Sequence, residues 1–347
     1  MSHRSIVLQR VAHSRRAGLG AVLLGLLVLV GVFAELLAAP APVFAVGPRG
    51  VEFLPAIVHA ERYEQLSEDE ISRSYADAFA VWPLVRSGPK APSVAGPLAS
   101  SSRAHPLGTD EKGRDLFARL VYGTRTALGL SLAAVLVSAV LGVLLGGLSG
   151  IRGGTSRDIL VRLVETIDTF PAILVVALVR AIEHEPSALS LVLAVAFVRW
   201  AEVARLVHAE TLRGASEDYA LAARALGASR ARIFLRHVLP NALGPVTVSS
   251  VFGVASVVLL EAAISFLEMG APTSAASWGE TLAQGARNPA ALRLLVLPVF
   301  LLLVTVGGSY LVADALRDAM DPRAVRKRRD ETYGSFGRSA DEPHVSR

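Results

Sequence analysis

Residues 216–240, SEDYALAARALGASRARIFLRHVLP, hold two short helical patterns separated by a glycine. Ser216 predicts the N-cap of the first, Glu217 and Asp218 complement the positive end of its dipole, and Gly227 predicts a left-handed stop. Ser229 predicts the cap of a second helix running towards Pro240. That helix carries Arg230, Arg232 and Arg236 on its polar side and Ile233, Phe234 and Val238 on its apolar side. In the first helix, Tyr219, Ala222, Ala223 and Leu226 recur at helical spacing, with two alanines as a low ridge that another protein's backbone could approach. Docking and a plain helical connection both fit this periodicity.

The composition around this stretch is that of a polytopic membrane protein: 347 residues, 52% hydrophobic, 19% charged, mean hydropathy +0.48. The net charge of +5 and pI near 9.9 come from basic residues at the ends of apolar segments, not from a basic helix, so membrane orientation explains them and nucleic acid does not. The chain has no cysteine, which excludes disulfides and thiolate sites.

Residues 1–16 carry Arg4, Arg10, Arg15 and Arg16 ahead of an apolar run, 17–39, long enough to cross about 30 Å of hydrocarbon. An uncleaved anchor is expected there; the rival is a signal peptide cut near Ala39 or Ala45. Residues 40–119 are a polar interval. Within it Ser67 and Glu70 predict a capping box, and Ile71, Tyr75, Phe79 and Trp82 one face of an amphipathic helix. Residues 83–106 read as extended linker. Further spans are expected at about 126–150, 163–182, 187–207, 241–266 and 294–316, with a kink at Pro171, and a polar tail at 319–347. Gly142, Gly146 and Gly147 predict close helix approach.

Arg199, Glu202 and Arg205 lie three residues apart and can pair on one face. Each charge would cost about 2.5 to 3.5 kcal/mol at the bilayer centre, so this face should avoid lipid, whether it lines a pathway or is buried in pairs. Glu261, with Ser265 one turn on, needs a donor, water or another subunit for the same reason. Basic residues crowd the N-terminus, the loops after the second and fourth spans and the tail, and the turn after the third span has none. Both termini are therefore expected in the cytoplasm.

Ala222-Ala223, three residues to Gly227, then Leu239-Pro240 resembles the coupling loop of ABC importer permeases, with Leu221 in place of the family's Glu and His237 in place of its Ile. Residues 105–128, HPLGTDEKGRDLFARLVYGTRTAL, and 313–323, ADALRDAMDPR, resemble the dipeptide, oligopeptide and nickel importer branch; Glu268 stands where that pattern has glycine. The resemblance implies an all-α fold of the type I importer permease, six transmembrane helices, with the permease domain over 124–318. It implies a second homologous permease, two ATP-binding subunits, an extracytoplasmic substrate-binding protein and surrounding lipid as partners, in the bacterial inner membrane. The docking residues would be Glu217, Asp218, Tyr219, Ala222, Ala223, Leu226, Gly227 and Pro240. Arg199, Glu202, Glu261 and Ser265 are candidates for the pathway or an interface.

No G-x-x-x-x-G-K-[ST] loop is present, so no cofactor is expected on this chain and ATP is expected on partner subunits. No H-E-x-x-H motif is present, so no enzymatic activity is expected. Peptide import is the expected function. Nickel import, an ion-coupled carrier using Arg199, Glu202 and Glu261, and a membrane sensor stand as alternatives.

Overall fold

Asp115 starts the longest helix. Its carboxylate accepts the Ala118 N–H at 2.7 Å, and α5 then runs uninterrupted over Leu116–Arg152, 37 residues, until Gly153 turns the chain at φ 65°. At about 1.5 Å per residue that is roughly 55 Å, longer than a bilayer core, so the helix begins well before its apolar part. The computed structural model describes residues 9–47, 50–58, 63, 66, 68–184, 187–270 and 275–320. Before α5 come α1 (Arg15–Val32), α2 (Ala34–Leu37), β1 (Phe44–Gly47), β2 (Gly50–Phe53), α3 (Pro55–Val58), α4 (Glu68–Ser74) and β3 (Phe79–Val81). After it come α6 (Gly154–Thr169), α7 (Ala172–Ile182), α8 (Ala188–Ala215), α9 (Asp218–Ala225), α10 (Arg230–Ile233), α11 (Leu239–Phe266), α12 (Trp278–Arg287) and α13 (Arg293–Met320).

Among the described residues, four helical stretches, Arg15–Val32, Leu116–Arg152, Arg230–Phe266 and Arg293–Met320, are long and apolar enough to cross a membrane. Between α5 and α8 the backbones nearly touch. Gly142 faces Val203, Gly146 the Ala204 backbone and Gly150 Thr211, so any Cβ at these three positions would collide. Gly20 of α1 meets Gly308 of α13 in the same manner.

Several local expectations are corrected. Pro171 does not kink a continuous span from 163: Phe170 adopts an extended conformation, as residues before proline do, and two separate helices result. The first of them, α6, is polar and amphipathic, leaving only α7 as the apolar part. Ser216 caps no helix start; it closes α8, its hydroxyl donating to Arg213 O at 2.8 Å, and Glu217 precedes α9. Pro240 ends nothing. It lacks the N–H that an α-helix would direct at Arg236, and the turn before it widens into a π turn, Phe234–Val238, in which Leu239 N–H reaches Phe234 O. Chain direction therefore continues from α10 into α11.

In the 40–119 interval the expected helix stops at Ser74, and Phe79 and Trp82 are not on its face. Phe79–Val81 instead pairs with β1 in an antiparallel sheet of order β2-β1-β3, the β-branched and aromatic residues favouring strand over helix. Ser67 of the expected capping box lies outside the described residues. The sheet covers Tyr63, Ile71 and Tyr75, and Trp82 meets Tyr75 edge-on at 6.1 Å. Glu268, at the family's glycine position, has φ 62°, a conformation that glycine adopts without steric cost; its carboxylate pairs with Arg287.

An ionic knot stands at the start of α5 and reaches the linker 83–106 through Arg119, which donates to Pro89 O at 3.0 Å. Glu280 of α12 binds Arg119 at 2.6 Å, Arg114 at 2.8 Å and Lys112 at 3.0 Å, while Asp110 accepts Arg114 Nε at 2.8 Å. Burial pushes the Glu280 carboxyl up, but the Arg119 and Arg114 guanidinium groups outweigh it and hold the group below its usual value. A depressed carboxyl stabilises the fold above its unfolded pKa, and that contribution is lost as pH falls through the folded value.

Two outcomes are expected. Gly146→Leu should overpack the α5–α8 contact, typically by about 1 to 3 kcal/mol, and lower the melting temperature in detergent. Gly129→Leu, with open space at its Cβ, should not. Melting followed across acid pH should show the wild type losing stability as pH falls from the ordinary carboxylate range towards the lower folded value, and Glu280→Gln should start lower and show a flatter acid limb.

Candidate coupling site and polar residues of the spans

Helix α9 is short, and its inner side is fixed by packing. Ala220 is fully buried and Ala223 half-buried against the cluster of Val207, Ile233, Phe234 and Val238. With 3.6 residues per turn this leaves Asp218, Leu221, Ala222, Ala225 and Leu226 outward, and all five are exposed, Leu226 at 88%. The expected docking face is thus divided: Ala222 and Leu226 belong to it, Ala223 faces the protein's own core. Tyr219 lies at the margin, its ring tilted against His237 with centroids 5.8 Å apart. Gly227 has φ 84° with open space around it, so conformation alone calls for glycine there; the Ala228 N–H returns to Ala223 O. Ser229 caps α10 through Arg232 N–H at 3.3 Å. Pro240 stands in the first turn of α11, well away from the exposed face in sequence.

The base of this hairpin is seated on α5 and α8. A Cβ at Gly147 would meet the Phe234 ring, and one at Gly214 would sit 3.0 Å from Val238. The α9–α10 hairpin therefore joins the bundle through a packed contact.

Arg199, Glu202 and Arg205 do not form one chain of pairs. Arg199 meets Glu202 at 3.3 Å and reaches the Ser249 carbonyl at 3.3 Å, Glu202 accepts Ser249 Oγ at 2.9 Å, and Arg205 pairs with Asp168 of α6. Arg199 is pressed against Gly253, and Glu202 and Arg205 line a cavity of about 800 Å³ shared by α8, α11 and the end of α13. The polar face thus spans three helices.

Glu261 lies at the other end of α11, 2% exposed. Its Oε1 accepts Ser265 Oγ at 2.7 Å and Ser277 Oγ at 3.0 Å, while Oε2 is buried without a hydrogen bond among the described residues. Ser277 also caps α12 through Gly279 N–H at 3.1 Å, so one carboxylate ties the end of α11 to the start of α12. Glu261 and Ser265 are brought together; Arg199 and Glu202 are half a helix away.

Two polar sites escaped the sequence reading. Arg180 of α7 donates to Glu183 at 2.8 Å, to Ser190 Oγ at 2.9 Å and to Met269 O at 3.1 Å, clasping α7, α8 and the end of α11. The only signal for it was a lone arginine in an apolar run. Ser93, His105 and Asp115 form a hydrogen-bonded row, with 2.6 Å and 2.7 Å between neighbours. All three are buried, and Asp115 is engaged as the α5 cap, so the row fastens the linker to the helix start.

The family described as "Binding-protein-dependent transport system inner membrane component" matches residues 122–326, including α9, α11 and Glu261. The chain belongs to this family. It is a permease subunit of an ABC importer, a multi-pass membrane protein. The permease is 33% identical over 225 residues to the oligopeptide transport system permease protein OppC of Bacillus subtilis, covering 64% of this chain and 73% of the relative. It is 34% identical over 251 residues to the probable D,D-dipeptide transport system permease protein DdpC of Escherichia coli, covering 72% and 83%. Among solved structures, an amino acid ABC transporter with histidines aligns at TM-score 0.46 and 17% identity, over 57% of this chain and 93% of that one.

In this permease the Glu261 tie makes an ordered set of expectations. Glu261→Gln keeps an acceptor for the two hydroxyls, whereas Glu261→Leu leaves both without one, at a typical cost of about 1 to 3 kcal/mol. Detergent melting and yield of the assembled complex should fall in the order wild type or Gln, then Leu. Equal stability of the Leu variant would show that the tie carries no weight.

Proposed function

We propose that this permease moves peptides across the bacterial inner membrane as one half of a permease pair, with cargo delivered by an extracytoplasmic binding protein. Two ATP-binding subunits drive it, one of them docked on α9. The observation that carries this reading is the exposed α9 face, small at Ala222 and Ala225 and apolar at Leu221 and Leu226, on a helix whose other side is anchored to the bundle. A short helix with one face packed and one bare is suited to a groove in another protein. The peptide cargo is supported by the names of the relatives, which are oligopeptide and dipeptide permeases.

The topology we propose has six crossings, α1, α5, α7 with the adjoining end of α6, α8, α11 and α13, and both termini in the cytoplasm. Loop charge supports it. Arg152, Arg157 and Arg162 flank the break after α5, and Arg213, Arg224 and Arg230 surround α9, whereas residues 183–187 have no Lys or Arg. α9 then lies on the side where ATP is found. ATP-driven closure of the partner subunits would push α9, and the Phe234–Gly147 and Val238–Gly214 contacts would pass that movement to α5 and α8. The shared pathway would then open to one side at a time. Glu202 and Arg205 would line its inner half, polar residues there being tolerable only away from lipid.

Ala222→Trp should overpack the docked face and reduce both co-purified ATPase and ATP-driven uptake, while the chain still inserts; Ala222→Gly should be milder. Normal ATPase recovery and uptake with Ala222→Trp would contradict docking on this face. Cargo is tested separately, by identifying the ligand carried by the binding protein that purifies with the complex: peptides support the reading, nickel refutes it.

A further inference from the structure

The β2-β1-β3 sheet has two faces of opposite character. Its inward residues Ala45, Glu52 and Ala80 cover Tyr63, Ile71 and Tyr75. The register sets Phe44 opposite Phe53 and Val81, and Val46 opposite Val51 and Phe79, so these six residues share the outward face. None is charged or polar. Val51 is 70%, Phe53 66% and Phe79 70% exposed. An antiparallel sheet with one face in water alternates to polar residues on that face; here the outward face is wholly apolar, and a contiguous apolar surface marks a contact with something other than water.

Two features identify the occupant. The sheet hangs directly from the outer end of the first span: Leu84 N–H donates to Leu36 O at 3.3 Å, Val85 N–H to Leu37 O at 2.9 Å and Val43 N–H to Val81 O at 2.7 Å. Val43 stands six residues after Leu37, a reach of at most about 20 Å. The apolar surface is also continuous with the bare side of that span. Leu29, Val32, Phe33 and Leu36 are exposed on α1 and α2, and Leu84, whose backbone bonds to Leu36, is 75% exposed.

We propose that this sheet face rests on the outer leaflet of the membrane, its Phe and Val side chains in the boundary between headgroups and acyl chains and the α4 side turned to water. Apolar faces held in this way sink about 5 to 10 Å into the boundary. The contact would fix the first span's outer end against the bilayer surface. It rests on the reading of α1 as a span and not on the cargo or on the docking of an ATPase.

The chain has no cysteine, so single cysteines can carry a bimane reporter in the full permease complex. Phe53→Cys and Val81→Cys probe the face, and Ser72→Cys, exposed on α4, is the water-facing control. The complexes are held in nanodiscs of phosphatidylcholine and phosphatidylglycerol, with or without phosphatidylcholine brominated near the top of its acyl chains. At Phe53 and Val81 bromine should remove more than about half of the emission, as burial in the boundary requires, and at Ser72 little. Equal emission in both lipids at Phe53 and Val81 overturns the proposal, and shielding of the same positions from aqueous iodide would then assign the face to a protein partner. Val51→Cys on the same face stands in if either variant does not assemble.

Discussion

The close approach of α5 and α8 is the constraint on which the rest of the arrangement depends. Inside a bilayer, apolar side chains gain little by leaving lipid for one another, so helices associate where small residues let many atoms touch. Gly142, Gly146 and Gly150 recur every fourth residue and bring α5 onto Val203, Ala204 and Thr211 of α8. Gly147 and Gly214 continue the contact and receive Phe234 and Val238. The seat of the α9–α10 hairpin is therefore part of the same packed surface as the core of the bundle. Whatever moves α9 moves against α5 and α8 directly.

Charge is handled differently at the two ends of the molecule. At the start of α5, the buried Asp110, Arg114 and Arg119 pair with one another and with the partly buried Glu280, which joins a loop, a span and α12. Removing one member would leave its partner charged and buried, which costs more than the pair gains. Near the opposite end the charges of Glu202, Arg205 and Asp168 are 42% to 58% exposed in the single chain, and Glu202 and Arg205 border an open cavity. The first group holds a shape; the second is free to meet water or another subunit.

The sequence made four long apolar helices legible because burial in lipid writes long apolar runs, and α11 begins and ends within two residues of the range read for it. Gly227 and Ser229 were legible as local punctuation for a similar reason: a left-handed turn and a cap each depend on one residue. Ser216 was not, since a serine can close one helix as readily as open the next, and only the length of α8 decides. The split of the expected docking face is tertiary, because Ala222 and Ala223 are alike until the cluster of Val207, Ile233, Phe234 and Val238 is seen to take one of them. Phe79 and Trp82 fitted a helical period over too few turns, and pairing with β1, distant in sequence, won. Arg180 and the Ser93–His105–Asp115 row depend on partners far along the chain, which no local pattern announces.

The π turn at Phe234–Val238 has a consequence for the azimuth of everything after it. A helix advances about 100° per residue, so one residue accommodated in a wide turn rotates the whole of α11 by that amount relative to α9. Glu261 faces Ser277, and Gly253 faces Arg199, because the count of residues before them includes the extra one. A one-residue deletion within Phe234–Val238 that restored a regular α-turn would turn Glu261 and Gly253 away from these partners, and with them the buried Val246, Val257 and Val258 from their places in the core. The hairpin thus acts as the phase mark of the span that follows it, and its length in residues is as constrained as its composition.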